Sequence, residues 1–352
     1  MGTLMGVPVY IGRSWIFVAL AITVLFGPTV ATIAPAIGLG AYGVAAFFAV
    51  LLLISVLVHE AAHAVTARRC GFTVQRIVAD FWGGHTAYHG EQTKPGAAAA
   101  VAFAGPMANA ALAGVGWLAL QSLESPIVGL LLIAFTYANA FVAIFNLLPG
   151  LPLDGGFLLE ALVWKATGSR GTGTLAAGWV GRALVVGLAA YAVLLPLFNG
   201  QQPSLYTLLW VVLIGGFLWS GATQAVRSGR SRRRFEAITL SSVWHPVTPV
   251  PATLTVESVP WSQSPLWLVT GERGEAIGIV DPAALAAVPT GGRSSTPVSA
   301  ICVRQPRGWV LPGQGNDTAL AVVASMQTMQ SPVVAIRTPD GQVSAVIFAN
   351  DL

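Results

Sequence analysis

The stretch VLVHEAAHAV, residues 57–66, carries two histidines and a glutamate inside an otherwise apolar run. His59 and His63 are four residues apart, so a helix brings both imidazoles to one face, where they can hold one ion. Neutral imidazole suits zinc, at about 2.0–2.1 Å. Glu60 is too close in sequence to His59 to be an equivalent ligand on that face. Its natural task is general base toward a metal-activated water. Chance matches to His-Glu-x-x-His occur in soluble chains, but here the upstream FFAVLLLISV has no charge. Ionisable groups at membrane depth are costly and are kept for function. The competing reading is a pair of histidines that pack helices together by bonding to carbonyls.

The elements that must position this cluster are membrane helices. The 352-residue chain is 55% hydrophobic and 9% charged, against about 25% charged in soluble domains. The deficit lies in the first two thirds: through Val226 the acidic residues are Glu60, Asp80, Glu91, Glu124, Asp154 and Glu160. Apolar runs near the roughly 20 residues needed to cross a bilayer occur at about 15–37, 41–66, 96–120, 126–148, 175–197 and 204–226. Pro28 and Pro35 in the first are tolerable in a span. The third, KPGAAAAVAFAGPMANAALAG, has the small residues that let membrane helices approach closely.

Basic residues set direction. Arg13 precedes span one; Arg68, Arg69, Arg76 and Lys94 lie between spans two and three; Lys165, Arg170 and Arg182 lie between or beside spans four and five. Arg227, Arg230, Arg232, Arg233 and Arg234 follow span six. The opposite loops, near 38–41, 121–126 and 198–203, contain no Lys or Arg. Both termini are therefore expected in the cytoplasm of a multi-pass cell-membrane protein. A cleaved signal peptide, with APA at 34–36, is the weaker alternative for the N-terminus because its charged region is poor. The formal charge of +4 sits at membrane flanks, so no nucleic-acid partner is expected. Cys70 and Cys302 are too few and too far apart for a disulfide framework or a cysteine zinc site.

A catalytic zinc needs a third protein ligand and one open position. The candidates are Asp154, Glu160, Asp80, Glu91, His85 and His89. Span two brings His59 and His63 toward its cytoplasmic end, and span four also ends inside, just before NLLPGLPLDGG at 146–156. The Pro–Gly turns there can aim Asp154 back toward the histidines, since unwound backbone is acceptable where it lines a wet cavity. Its alternative task is to N-cap the helix FLLEALVW.

VHEAAH, AGPMAN and NLLPGLPLDGG, in this order on successive spans, resemble the site-2 protease family of intramembrane zinc metalloproteases over roughly residues 10–226. The resemblance implies that His59, His63 and Asp154 bind Zn2+ and that Glu60 is the catalytic base. It implies a role near the substrate carbonyl for Asn146, and a less defined one for Asn109, whose alternative is an interhelical hydrogen bond. FWGGHTAYHGE, residues 81–91, resembles the family's cytoplasmic β-hairpin or re-entrant loop, which is expected to take substrate as an added strand. His85 and His89 depart from the apolar residues expected there; they read as polar loop residues, with groups supporting the metal ligands or inhibitory metal ligands as the alternatives.

After the basic stretch RSGRSRRR, suited to anionic lipid headgroups, the tail reads as a soluble α/β domain. PLWLVTGERGEAIGIV and SPVVAIRTPDGQVSAVIF are each strand, Gly turn, strand, and TALAVVASMQTM is an amphipathic helix. The tail resembles a pair of CBS modules, roughly 237–288 and 295–352. Such pairs bind adenine nucleotides, but Asp281, Ala284 and Phe348 depart from that pattern, while Asp351 keeps it. A docking or homodimerising role is the other reading.

The expected organisation is a polytopic α-helical membrane protein over 1–226, six helices with a short β-hairpin. A basic linker at 227–236 and a CBS-type tandem domain at 237–352 follow. The expected function is zinc-dependent cleavage within the transmembrane segment of a single-pass protein, such as an anti-sigma factor or tethered regulator. A membrane metal transporter and a catalytically silent client-binding relative are the rivals.

Overall fold

The computed structural model describes residues 2–4, 6–80, 83–89, 94–122 and 125–352. Of the expected candidates, Glu91 lies outside the described residues. The chain divides into two units, Met1–Arg230 and Ser231–Leu352.

Among the described residues, six helices are long and apolar enough to cross a membrane: α1 (Trp15–Ile33), α2 (Gly40–Arg69), α3 (Pro95–Leu120), α4 (Pro126–Asn146), α6 (Arg170–Phe198) and α7 (Leu205–Ala237). Between α4 and α6 lies α5 (Asp154–Thr167), too short to span. The boundaries follow local chemistry. Pro95 and Pro126 occupy the first turns of α3 and α4, where the missing N–H costs nothing. Gly168, at φ 75°, ends α5, and the Ser169 side chain then caps α6 by accepting from the Thr172 backbone N–H. Two helices differ from the sequence expectation. α1 stops at Ile33, before Pro35; α7 runs on through RSGRSRRR to Ala237, so the basic stretch is helical.

The packing face of α3 explains its composition. Ala98, Val101, Ala102, Gly105, Asn109, Ala113 and Gly116 are buried along one stripe at helical spacing. The matching face of α2 contains Ser55, His59, Glu60 and His63, all buried. Small side chains on one helix leave room for imidazoles on the other.

A four-stranded sheet, β1 (Gly2–Leu4), β2 (Val7–Ile11), β3 (Thr73–Asp80) and β4 (Gly83–His89), lies in that order. β2 and β3 are parallel, and β3 and β4 form the expected antiparallel hairpin. Val7 and Ile77 pack on Ala64 of α2, tying the sheet to the helix that holds the histidines. β1 and β2 were not read from the sequence: β2 pairs with β3 across 68 residues, Val9 with Ile77, which local patterning cannot signal.

The turn between α4 and α5 is held by close contacts. The Leu151 N–H donates to the Ala177 carbonyl, and the Leu151–Pro152 peptide is cis. A Cβ on Gly155 would strike the Leu147 and Leu148 carbonyls, and one on Gly156 the Gly150–Leu151 backbone. The paired glycines thus let the turn fold back over the start of α5. Gly181 on α6 meets the Leu151 carbonyl from the other side. Gly181→Ala is therefore expected to cost about 1–3 kcal/mol by overpacking, read as a lower Tm in detergent together with reduced activity.

The second unit contains short helices α8 (Leu240–Val243), α9 (Pro282–Ala287) and α10 (Leu320–Met329) and eight strands. These are β5 (His245–Pro246), β6 (Thr248–Pro251), β7 (Trp267–Thr270), β8 (Ala276–Val280), β9 (Cys302–Arg304), β10 (Val310–Pro312), β11 (Val333–Arg337) and β12 (Val343–Phe348). They form two four-stranded sheets, β6-β7-β8-β9 and β10-β11-β12-β5. Each has one parallel pair followed by two antiparallel pairs. The strand-turn-strand repeat read from the sequence is thus a structural repeat. Leu268 and Ile279 of the first sheet share one core with Val333, Ala335 and Val346 of the second.

Candidate metal centre

His59 and His63 lie one turn apart on α2, 8% exposed each. Each ring hands its Nδ1 to α3. His63 Nδ1 lies 2.7 Å from the Val101 carbonyl oxygen, and His59 Nδ1 lies 2.5 Å from Asn109 Oδ1. A carbonyl oxygen can only accept, so both rings carry the proton on Nδ1 and direct an unprotonated Nε2 the other way.

Those two Nε2 atoms converge at 3.0 Å. Asp154, the first residue of α5, reaches the same point. Its Oδ2 is 3.1 Å from His59 Nε2 and its Oδ1 is 3.5 Å from His63 Nε2. Burial alone favours the neutral Asp154 carboxyl, and a cation beside it would keep it ionised. The N-terminus of α5 also favours a negative charge there. Asp154 Oδ2 is buried with no hydrogen-bond partner. Three lone-pair atoms facing one another without a proton between them repel, and a bound cation reverses that sign. A tetrahedral zinc with ligands near 2.0–2.2 Å separates them by about 3.3 Å, close to the observed spacings. The donor set fits a zinc ion.

Glu60 is buried at 4% exposure, and one of its carboxylate oxygens lies within 4.8 Å of a ring nitrogen of each histidine. Gly105 of α3 lies against both rings: a Cβ there would collide with Nε2 of both His59 and His63.

The other candidates separate cleanly. Glu160 is buried in α5 but is occupied by Arg170 Nε at 2.7 Å and the Thr174 hydroxyl at 3.0 Å, a bond between α5 and α6 rather than a free ligand. Asp80 ends β3, and His85 and His89 stand in β4 opposite Val78 and Thr73. Asn146 closes α4, half-buried, just before the turn. Asn109 is 1% exposed, bound to His59 on one side and, through Nδ2, to Asn139 Oδ1 at 2.7 Å on the other. Sequence reading missed Ser55, Gly105 and Asn139. For Asn139 a signal existed: an isolated amide within TYANAFVAIF, where a buried polar side chain needs a partner.

A bundle of membrane-length helices around buried His59, Glu60 and His63, with Asp154 half-buried beside them, defines a membrane metalloenzyme. Peptidase family M50 matches residues 47–128 and 120–188. The protein sll0528 of Synechocystis sp., to which a zinc metalloprotease activity is ascribed, is 28% identical over 99% of this chain and 92% of its own length. Rip3 of Mycobacterium tuberculosis, likewise described, is 37% identical over 50% of this chain and 45% of its own. Among solved structures, the site-2 protease of Methanocaldococcus jannaschii aligns with a TM-score of 0.44 and 21% identity. It covers 64% of this chain and 94% of that one. A CBS-domain structure of a hemolysin-like protein from Oenococcus oeni aligns over 35% of this chain and 92% of its own, with 14% identity and a TM-score of 0.27. The family M50 match lies within the membrane unit and takes in the residues from His59 to Asp154. The chain is a multi-pass intramembrane zinc metalloprotease.

Proposed function

We propose that His59, His63 and Asp154 are the zinc ligands, that Glu60 is the general base, and that the substrate is the transmembrane segment of a single-pass protein. The convergence of Asp154 with both Nε2 atoms, from separate helices and beside buried Glu60, carries this reading. Zinc, when bound, supplies a Lewis acid that makes water nucleophilic at neutral pH.

The chain's own groups do the rest. The Glu60 carboxylate takes the proton of the attacking water and passes one to the leaving amide nitrogen. Asn146, just before the turn that presents Asp154, offers an amide N–H to the substrate carbonyl as charge develops there. Its replacement by Ala is expected to lower kcat with zinc content unchanged, read by paired metal analysis and single-turnover cleavage. β4 is an edge strand of its sheet, and an unwound substrate segment joins it by backbone pairing. Unwinding is needed because a helical substrate hides its amides in its own hydrogen bonds.

The distribution of Lys and Arg puts both termini in the cytoplasm. His63 then lies about 9 Å along α2 from Arg69, at 1.5 Å per residue, near the inner surface where water can enter. Clients of this chemistry include membrane-tethered regulators and anti-sigma factors. The tandem α/β unit acts as a CBS-type regulatory module that pairs or docks. Asp281 caps α9 through the Ala283 N–H, and Asp351 pairs with His245 at 3.0 Å, so both aspartates have local tasks that compete with a nucleotide.

The test is zinc analysis and substrate cleavage on the purified full chain and Asp154→Ala. Loss of both zinc and cleavage is expected; retention of zinc by Asp154→Ala would remove the carboxylate from the ligand set. The metal-transport rival requires zinc flux into proteoliposomes without peptide cleavage.

A further inference from the structure

Three buried polar side chains form a network behind His59. Ser55 on α2, Asn109 on α3 and Asn139 on α4 are 4%, 1% and 1% exposed. Their hydrogen bonds have a direction that can be traced from one end. The Phe135 carbonyl can only accept, and Asn139 Nδ2 donates to it at 2.9 Å and to Ser55 Oγ at 3.1 Å. The Ser55 hydroxyl spends its own proton on the Leu51 carbonyl at 3.0 Å, leaving a lone pair for Asn139. The Asn139 amide is thereby oriented with Oδ1 toward Asn109, whose Nδ2 donates to it. Asn109 must then turn its own Oδ1 to His59, and an oxygen there accepts only from a protonated Nδ1.

We infer that Asn139, supported by Ser55, is a positioning residue that sets the His59 tautomer through Asn109, keeping Nε2 free for the metal. The inference rests on the assignment of His59 as a ligand. His63 needs no such relay, because Val101 supplies a backbone carbonyl directly. An amide can present either end; a carbonyl cannot. Asn109 therefore requires a second residue to choose its end, and Asn139 makes that choice.

Asn139→Leu keeps the shape but frees Asn109 to flip, presenting an N–H to His59 and moving the ring proton to Nε2. Asn139→Asp keeps an oxygen facing Asn109, whether neutral or ionised, so the direction survives. A purely packing role predicts the reverse order, with Leu tolerated and Asp harmful.

The experiment measures zinc affinity by chelator competition on the purified full chain, and the His59 tautomer by 15N shifts in the metal-free protein. Asn139→Leu is expected to weaken zinc about 10–100-fold, the range for residues that orient metal ligands, and Asn139→Asp by less than about threefold. Wild-type affinity in Asn139→Leu, or equal losses in both variants, overturns the inference. If Asn139→Leu does not fold, Asn139→Ala is measured against the same thresholds. His59→Ala separates the two claims: retained zinc there rejects the ligand assignment, while the tautomer in the metal-free protein still judges the relay.

Discussion

Glu60→Gln is expected to abolish detectable peptide cleavage while leaving zinc in place. The substitution preserves size and buried hydrogen bonding but removes the ability to take a proton. Loss of general acid–base catalysis costs about 10²–10⁴-fold, enough to put a slow intramembrane protease below the limit of a gel assay. Zinc retention is the informative half. Glu60, His59 and His63 alone could also be read as three ligands, since their donor atoms cluster within 4.8 Å. Loss of zinc from Glu60→Gln would make Glu60 a ligand; undiminished cleavage would remove it from catalysis. Membranes from a Glu60→Gln strain are further expected to accumulate uncut single-pass fragments, visible by comparative proteomics.

Gly105→Ala is expected to strip zinc from the protein, although it adds only one methyl group. In a helix interior Ala is ordinarily favoured over Gly by about 1 kcal/mol. At Gly105 the new Cβ would overlap Nε2 of both histidines. Either the rings rotate, losing their Nδ1 bonds to Asn109 and Val101, or α3 retreats from α2. Both disperse the ligand atoms. A fall in zinc affinity of at least about 10-fold is expected, comparable to the loss of an orienting residue. Gly114→Ala on the same helix is the control, because a Cβ there meets nothing within 4 Å. Equal zinc affinity in the two variants would show that α3 does not form the wall of the site.

The membrane architecture was legible because its signal is local. A run of about 20 apolar residues has few fates besides crossing a bilayer, and all six runs became helices. The pair His59 and His63 was legible because helical spacing alone puts them on one face. Asp154 stood out through its Pro–Gly surroundings, since such a turn can reverse a chain, and it is the candidate carboxylate that reaches both imidazoles. Glu160, on the same helix, looked equally able until the structure showed it occupied by Arg170 and Thr174.

Composition, the spacing of the histidines and the order of the motifs thus determined the kind of protein and most of its candidate reactive residues. Tertiary structure decided which carboxylate meets the histidines, that a glycine on α3 makes room for them, and that Asn109 faces His59 while leaning on Asn139. These are relations between helices distant in sequence. Hydrophobic periodicity names the face a helix buries, but not the atom that a neighbouring helix will place against it.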